Sequence, residues 1–225
     1  MSDRKTLFIT GASSGIGAAT ARAAVAAGWN VALFARSTDK LEALQAELGD
    51  AVLTIPGDAT HLLAQEDAIV RTVEHFGGLH AAFANAGMGL DRPGTEAGDP
   101  EEWRRMIDLN IMALLYTARA ALPELRKTKG HLLLTGSIAG KVHLPGSIYG
   151  ASKWFVQGYA GNMAQEMRDW GGRCTLIAPG MVDTPFFDEP KPDKLKPEDI
   201  GEAVVFALTQ LERANVSEIA IMPRA

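Results

Sequence analysis

Apolar residues along the chain fall into short continuous runs, separated by longer stretches in which they return every three or four positions. The short runs are "KTLFIT", "NVALFA", "AVLTIP", "LHAAFA", "GHLLLT", "RCTLIA" and "SEIAIM". Several are apolar on consecutive residues rather than alternate ones, the pattern of strands covered on both faces. Helical periodicity occupies residues 15–27, 38–48, 61–76, 100–127, 148–169 and 197–212. The alternation predicts an α/β fold, a doubly wound parallel sheet of seven strands with right-handed crossovers and helices on both faces. No linker, low-complexity segment or internal repeat interrupts it, so one domain over residues 1–225 is expected.

Residues 183–197, "DTPFFDEPKPDKLKP", break the rhythm. Pro185, Pro190, Pro192 and Pro197 exclude a regular element. The segment follows a strand at the carboxyl edge of the sheet, where ligands bind such folds. A lid over the substrate is favoured over a plain proline-stiffened connection.

Composition narrows the partners. The chain is 47% hydrophobic and 22% charged, and its 22 basic against 27 acidic residues leave a net charge of −5 with no sustained basic run. Nucleic acid and anionic membrane are therefore not expected partners. The start, "MSDRKTLFIT", lacks the apolar region of a signal peptide, and no run reaches membrane-spanning length, which points to a cytoplasmic protein. Cys174, the single cysteine, reads as a buried structural thiol. The histidines form no metal-ligand spacing, and no metal site is expected.

The first strand runs into Thr10-Gly11-Ala12-Ser13-Ser14-Gly15-Ile16-Gly17 and then a helix. Glycines at a strand–helix junction let backbone approach a pyrophosphate, while the helix start presents unpaired N–H groups and positive dipole. Gly11, Ser13, Ser14, Gly15, Ile16 and Gly17 are thus the candidate phosphate-binding residues of a Rossmann-type dinucleotide site. The second strand ends at Arg36-Ser37, nineteen positions after Gly17, where an acidic residue would take a ribose 2′-hydroxyl and an arginine a 2′-phosphate. Arg36 with Ser37 favours NADP(H) over NAD(H); the plainer reading is a solvated arginine at a strand end.

Tyr149 and Lys153 lie four residues apart in a helical stretch, one turn apart on one face. A lysine ammonium beside a phenol favours the phenolate and suits the tyrosine to acid/base work on an alcohol or carbonyl. The spacing alone arises by chance in about one such chain in eight, so its weight depends on what surrounds it.

With these motifs in order, the chain resembles the short-chain dehydrogenase/reductase family, in its branch with the T-G-x-x-x-G-x-G turn and the Y-x-x-x-K pair. The resemblance extends over nearly the whole chain. It implies that Asp58 and Ala59 after the third strand contact adenine, and that Asn85-Ala86-Gly87 shapes the adenine-ribose side of the cleft. It implies a catalytic set of Asn110, Ser137, Tyr149 and Lys153, with Ser137 twelve residues before Tyr149. Pro179, Gly180, Val182 and Thr184 then fall on the nicotinamide side, where Tyr149 and Lys153 also meet the cofactor. Each has a bland reading as well: Asp58 as a helix cap, Asn110 as a satisfied buried amide, Ser137 as a loop hydroxyl.

The implied reaction is reversible hydride transfer between NADP(H) and a carbonyl or secondary alcohol; the alternative is a non-catalytic NADP(H)-binding regulator or scaffold on the same fold. The segments flanking the implied pocket are mostly apolar, with Met88, Leu144, Met181 and Phe186 as substrate-side candidates. His143 is either a pocket residue or a loop surface residue. The family resemblance further implies a homodimer or homotetramer built through helices 100–127 and 148–169.

Overall fold

The computed structural model of the protein describes residues 4–92 and 94–224. Strands β1 (Thr6–Thr10) and β2 (Asn30–Ala35) are buried along their whole length. Their side chains alternate between two cores, Phe8, Ala32 and Phe34 pointing into one, and Leu7, Ile9, Val31 and Leu33 into the other. Burial on both faces is the physical reason for the continuous apolar runs. With β3 (Val52–Pro56), β4 (Ala81–Ala84), β5 (His131–Thr135), β6 (Arg173–Pro179) and β7 (Glu218–Ile221) they form a seven-stranded sheet in the order β3-β2-β1-β4-β5-β6-β7. Every pairing is parallel. The winding direction reverses between β1 and β4, which opens a crevice at their carboxyl ends.

Helices α1 (Gly15–Ala26), α2 (Thr38–Leu48) and α7 (Pro197–Leu208) cover one face through Ala21, Ala24, Leu41, Leu44 and Val204. The other face carries α3 (Leu62–Phe76), α5 (Ala113–Thr128) and α6 (Ile148–Arg168), seated through Ala68, Ala118, Leu125, Val156 and Met163. This is the doubly wound α/β arrangement that the hydrophobic pattern predicts.

Two helices depart from the predicted bounds. The stretch 100–127 is not one helix: α4 (Pro100–Ile107) passes into a π-helical turn at Asp108–Met112 before α5 begins. The widened turn puts the Asn110 amide against a neighbouring loop rather than along the helix, a tertiary demand that apolar periodicity does not encode. The last helix stops at Leu208 rather than near residue 212, because the side chains of Thr209 and Gln210 take the carbonyls of Val205 and Phe206 in its final turn.

The proline-rich segment is irregular, and its base is stapled. Val182 and Leu195 form an isolated bridge, and the Asp183 N–H donates to the Leu195 carbonyl at 2.7 Å. The Asp183 carboxylate accepts from the Lys191 backbone N–H at 2.8 Å and from Lys196 Nζ at 2.9 Å. Residues 184–190 are left as a short tip over the carboxyl edge of the sheet.

Candidate active site

At the end of β1 the chain turns through Gly15, whose φ of +51° lies in the left-handed region that glycine adopts without a Cβ clash. Gly17 is required for a second reason: a Cβ there would collide with the Gly11 carbonyl oxygen. The first turn of α1 has no acidic residue, and its N-cap Ser14 makes no side-chain capping bond. Ser13, Ser14 and Gly15 line a cavity of about 360 Å³ that reaches Lys40 on α2 and Pro185 on the loop. An uncapped, positively polarised helix start beneath a glycine turn fits a dinucleotide pyrophosphate. Ile16 packs half-buried against the core, leaving its backbone to the turn.

Arg36 and Ser37 stand exposed just past β2, with Ser37 as the N-cap of α2. Across the corner, Asp58 is not the helix cap of the plainer reading, since His61 is the N-cap of α3. Its Oδ1 instead accepts from the Thr60 N–H at 2.9 Å and the Thr60 hydroxyl at 2.8 Å. Burial raises the Asp58 carboxyl, but those two bonds and the Arg36 charge outweigh it and hold the group below the usual carboxylate range. Arg36 and Asp58 therefore share one corner, with Ala59 buried behind them.

Asn85 joins three strand ends. Its Nδ2 donates to the Thr10 carbonyl at 3.1 Å, its backbone N–H to Thr10 Oγ1 at 3.1 Å, and its Oδ1 accepts from Thr135 Oγ1 at 3.3 Å. The Ala86 N–H also reaches Thr10 Oγ1, at 3.2 Å. Thr135 was not singled out from the sequence, and Thr10 entered only as the start of the glycine turn; the signal was a threonine at the last position of strands β1 and β5.

The four residues of the implied catalytic set come together at the ends of β5, α6 and the π turn. Lys153 is 5% exposed, and its Nζ donates to the Thr135 carbonyl at 2.9 Å while lying 5.7 Å from the centre of the Tyr149 ring. Ser137, whose hydroxyl donates to the Pro179 carbonyl at 3.4 Å, lies close enough to the Tyr149 phenol to influence its titration. Asn110 accepts from the Met88 N–H at 2.8 Å and donates to the Met88 carbonyl at 2.9 Å. A methyl group placed on Gly87 would lie 3.2 Å from Asn110 Oδ1 and 3.9 Å from Lys153 Nζ, so both converge on that glycine. Ser152 adds a link not predicted, donating to the Tyr149 carbonyl at 2.7 Å and facing Asn110 Nδ2 at 3.4 Å.

The electrostatics differ from the sequence expectation. Burial pushes the Tyr149 phenol above its ordinary value, and the neighbouring Ser137 opposes it. Lys153 is itself lowered by burial, to about 8. The dominant influence on the phenol in this structure is desolvation rather than the lysine charge.

Around this centre, Thr184 rests on the glycine turn, its methyl 3.1 Å from where a Gly15 Cβ would lie. Pro179 is buried and its carbonyl accepts from Ser137 Oγ at 3.4 Å. Gly180 donates its N–H to the Ile221 carbonyl at 2.7 Å. The Val182 side chain belongs to the core, so only its backbone faces the crevice. Phe186 sits 5.7 Å from the Tyr149 ring centre. Met88 is half-buried beside Asn110, while Met181 and Leu144 are exposed. His143 is exposed and stacks on Trp154 at 5.4 Å, so its contact is with the outer side of α6.

Residues 5–195 match the family model described as short chain dehydrogenase. An uncharacterized oxidoreductase of Staphylococcus aureus strain MRSA252 is 39% identical over 225 residues, covering 97% of each chain. An alcohol dehydrogenase from the archaeon Thermococcus sibiricus, complexed with 5-hydroxy-NADP, superimposes with a TM-score of 0.91 at 32% identity over 98% of this chain and 97% of that one. A serine dehydrogenase from Escherichia coli does so at 0.89 and 30% identity, over 97% of each.

Proposed function

The chain belongs to the short-chain dehydrogenase family and is an oxidoreductase, and on that footing we propose that it interconverts a carbonyl and a secondary alcohol of apolar character with NADP(H). The observation that carries the reading is the meeting of Tyr149, Ser137 and Lys153 beside a glycine turn that fits a dinucleotide. Gly11, Ser13, Ser14, Gly15, Ile16, Gly17, Arg36, Asp58, Asn85, Lys153 and Thr184 would hold NADPH, which would supply hydride chemistry when bound. Tyr149, a phenol whose pKa lies well above neutral, is protonated and can donate to a carbonyl oxygen. Ser137 hydrogen-bonds the same oxygen and stabilises its developing charge. Lys153, nearly enclosed and with its pKa near 8, stands ready to restore the proton on Tyr149. Asn110, fixed by Met88, holds the route to solvent.

Substrate choice follows from the lining. Phe186 and Met88 favour an apolar group beside the reacting carbon. Lys141, the cation nearest in sequence to Ser137, is committed to Glu218 in an ion pair, which leaves it a poor carboxylate anchor. A relative named serine dehydrogenase and one named alcohol dehydrogenase frame the choice. The test is NADPH oxidation over ketones, aldehydes, quinones and 3-keto compounds, with NADP⁺ reduction by serine and by simple secondary alcohols beside it. Turnover of apolar ketones with none of serine supports the reading; serine as the best substrate overturns its apolar part. We expect the enzyme in the cytoplasm as a homodimer or homotetramer using α5 and α6, where Trp154 and Phe155 are exposed apolar side chains. A monomer by sedimentation equilibrium would contradict the assembly.

A further inference from the structure

Gln65 on α3 is fully buried, yet its amide bonds lie wholly outside its own helix. Nε2 donates to the Ala59 carbonyl at 2.7 Å and to the Ala113 carbonyl at 2.9 Å, and Oε1 accepts from the Thr117 hydroxyl at 2.7 Å. Both carbonyls can only accept, so the amide orientation is determined: reversed, Oε1 would face two oxygens. An amide among Ala68, Ile69 and Ala118 is unfavourable unless its bonds are made, and here each N–H and the oxygen has a partner.

The bonds join two distant parts of the site. Ala59 follows Asp58 at the corner shared with Arg36. Ala113 is the first residue of α5, and its N–H bonds back to the Asp108 carbonyl to close the π turn. A π turn is less favourable than a regular helical turn and persists where outside contacts hold it. This one carries Asn110, gripped in both directions by Met88. Hydrogen bonds thus run from Ala59 through Gln65 to Ala113, and the backbone of the π turn carries the link on to Asn110, which is bonded to Met88.

We propose that Gln65 is a positioning residue for the reaction, locking the loop after β3 to the π turn and thereby setting Asn110 beside Lys153. It acts through the carbonyls of Ala59 and Ala113 and touches neither substrate nor cofactor. The inference rests on the catalytic reading above, and its test separates the two.

In the full chain, Gln65→Met keeps length and apolar volume but removes both N–H donors, and Gln65→Glu retains at most one. Thr72→Val is the matched control: Thr72 is another buried polar residue of α3, bonded only to the Ala68 carbonyl of its own helix. Amide exchange, the kcat pH profile, and KM for NADPH are measured on each. Gln65→Met is expected to speed exchange at the Met88 amide about tenfold with β1 amides unchanged. It should also lower kcat about tenfold and displace the pH profile, with Gln65→Glu intermediate and Thr72→Val like the parent. If Gln65→Met does not fold, Gln65→Glu carries the same comparison. Unchanged Met88 exchange and pH profile, with only a lower Tm, would make Gln65 a packing residue and overturn the proposal. If the parent protein turns over no carbonyl at all, the catalytic reading fails, and Met88 exchange still decides whether Gln65 holds Asn110.

Discussion

Tyr149 shows how one side chain acquires chemistry from its surroundings. Its spacing to Lys153 predicts a phenol lowered by a nearby charge, whereas burial raises it and only Ser137 pulls the other way. The phenol is protonated at neutral pH with or without this shift, so burial changes its strength as an acid rather than its protonation state. Tyr149→Phe should reduce kcat by about 10²–10⁴-fold while the dissociation constant for NADPH, read by fluorescence, stays within about threefold of the parent. Near-full turnover would remove Tyr149 from the reaction. At the other end, Arg36 faces the corner already occupied by Asp58, whose carboxylate it helps keep ionised. Arg36→Glu should weaken NADPH binding at least about tenfold, with little effect on NADH, since a charge-assisted phosphate contact contributes more than 1 kcal/mol. Equal losses for both cofactors would deny Arg36 any role in choosing between them.

Among the elements, the loop at 183–197 and the π turn depart from regular structure, and both border the catalytic residues. The loop is pinned at its base by Asp183 to Lys191 and Lys196, which confines any motion to its tip. That tip carries Phe186, whose Cζ lies 3.0 Å from where a Gly89 Cβ would stand. Gly89→Ala should displace the exposed Phe186 ring rather than the backbone, because an exposed side chain yields at little cost. We expect KM for an apolar ketone to change by about threefold or more with Tm held within about 2 °C; unchanged KM would detach Phe186 from the substrate. The proline pattern predicts the loop from sequence, since four prolines exclude a helix or central strand whatever the context. The π turn is not predictable in the same way. Its apolar periodicity matches an ordinary helix across 100–127, and only the partners of Asn110 at Met88 and of Ala113 at Gln65 select the wider turn.

For the molecule as a whole, two cores pressed on a parallel sheet enclose groups that water would otherwise hydrate. His131 is the clearest case: it is fully buried at the start of β5. Its Nε2 lies 2.7 Å from Thr175 Oγ1, and that hydroxyl donates to the Val216 carbonyl, so the imidazole must be the donor to it and Nδ1 is left without a partner. Burial, with the Arg173 charge adding to it, lowers the group to about 3. The unfolded chain therefore takes up this proton first, and the stability contribution of neutral His131 is lost as pH falls from about 6.5 toward about 3. Between pH 7 and 4.5 this amounts to roughly 2–3 kcal/mol. Urea denaturation should give His131→Gln a shallower loss over that interval than the parent, and parallel losses would assign the acid sensitivity elsewhere. Seven parallel strands, the helices on both faces and the glycine turn were all readable from the chain, because burial period and turn glycines are set by neighbours within a few residues. The one-turn spacing of Tyr149 and Lys153 on a single helix was readable too, while Ser137 entered only through the family resemblance. Which atoms those residues meet was not readable: Lys153 on the Thr135 carbonyl, Asn110 on Met88, Phe186 over Tyr149 and His143 turned out to Trp154 all join positions far apart in the chain or displaced by loop geometry. Such partners are chosen when the cores close and buried polar groups take the bonds that remain within reach, a selection made by packing in three dimensions.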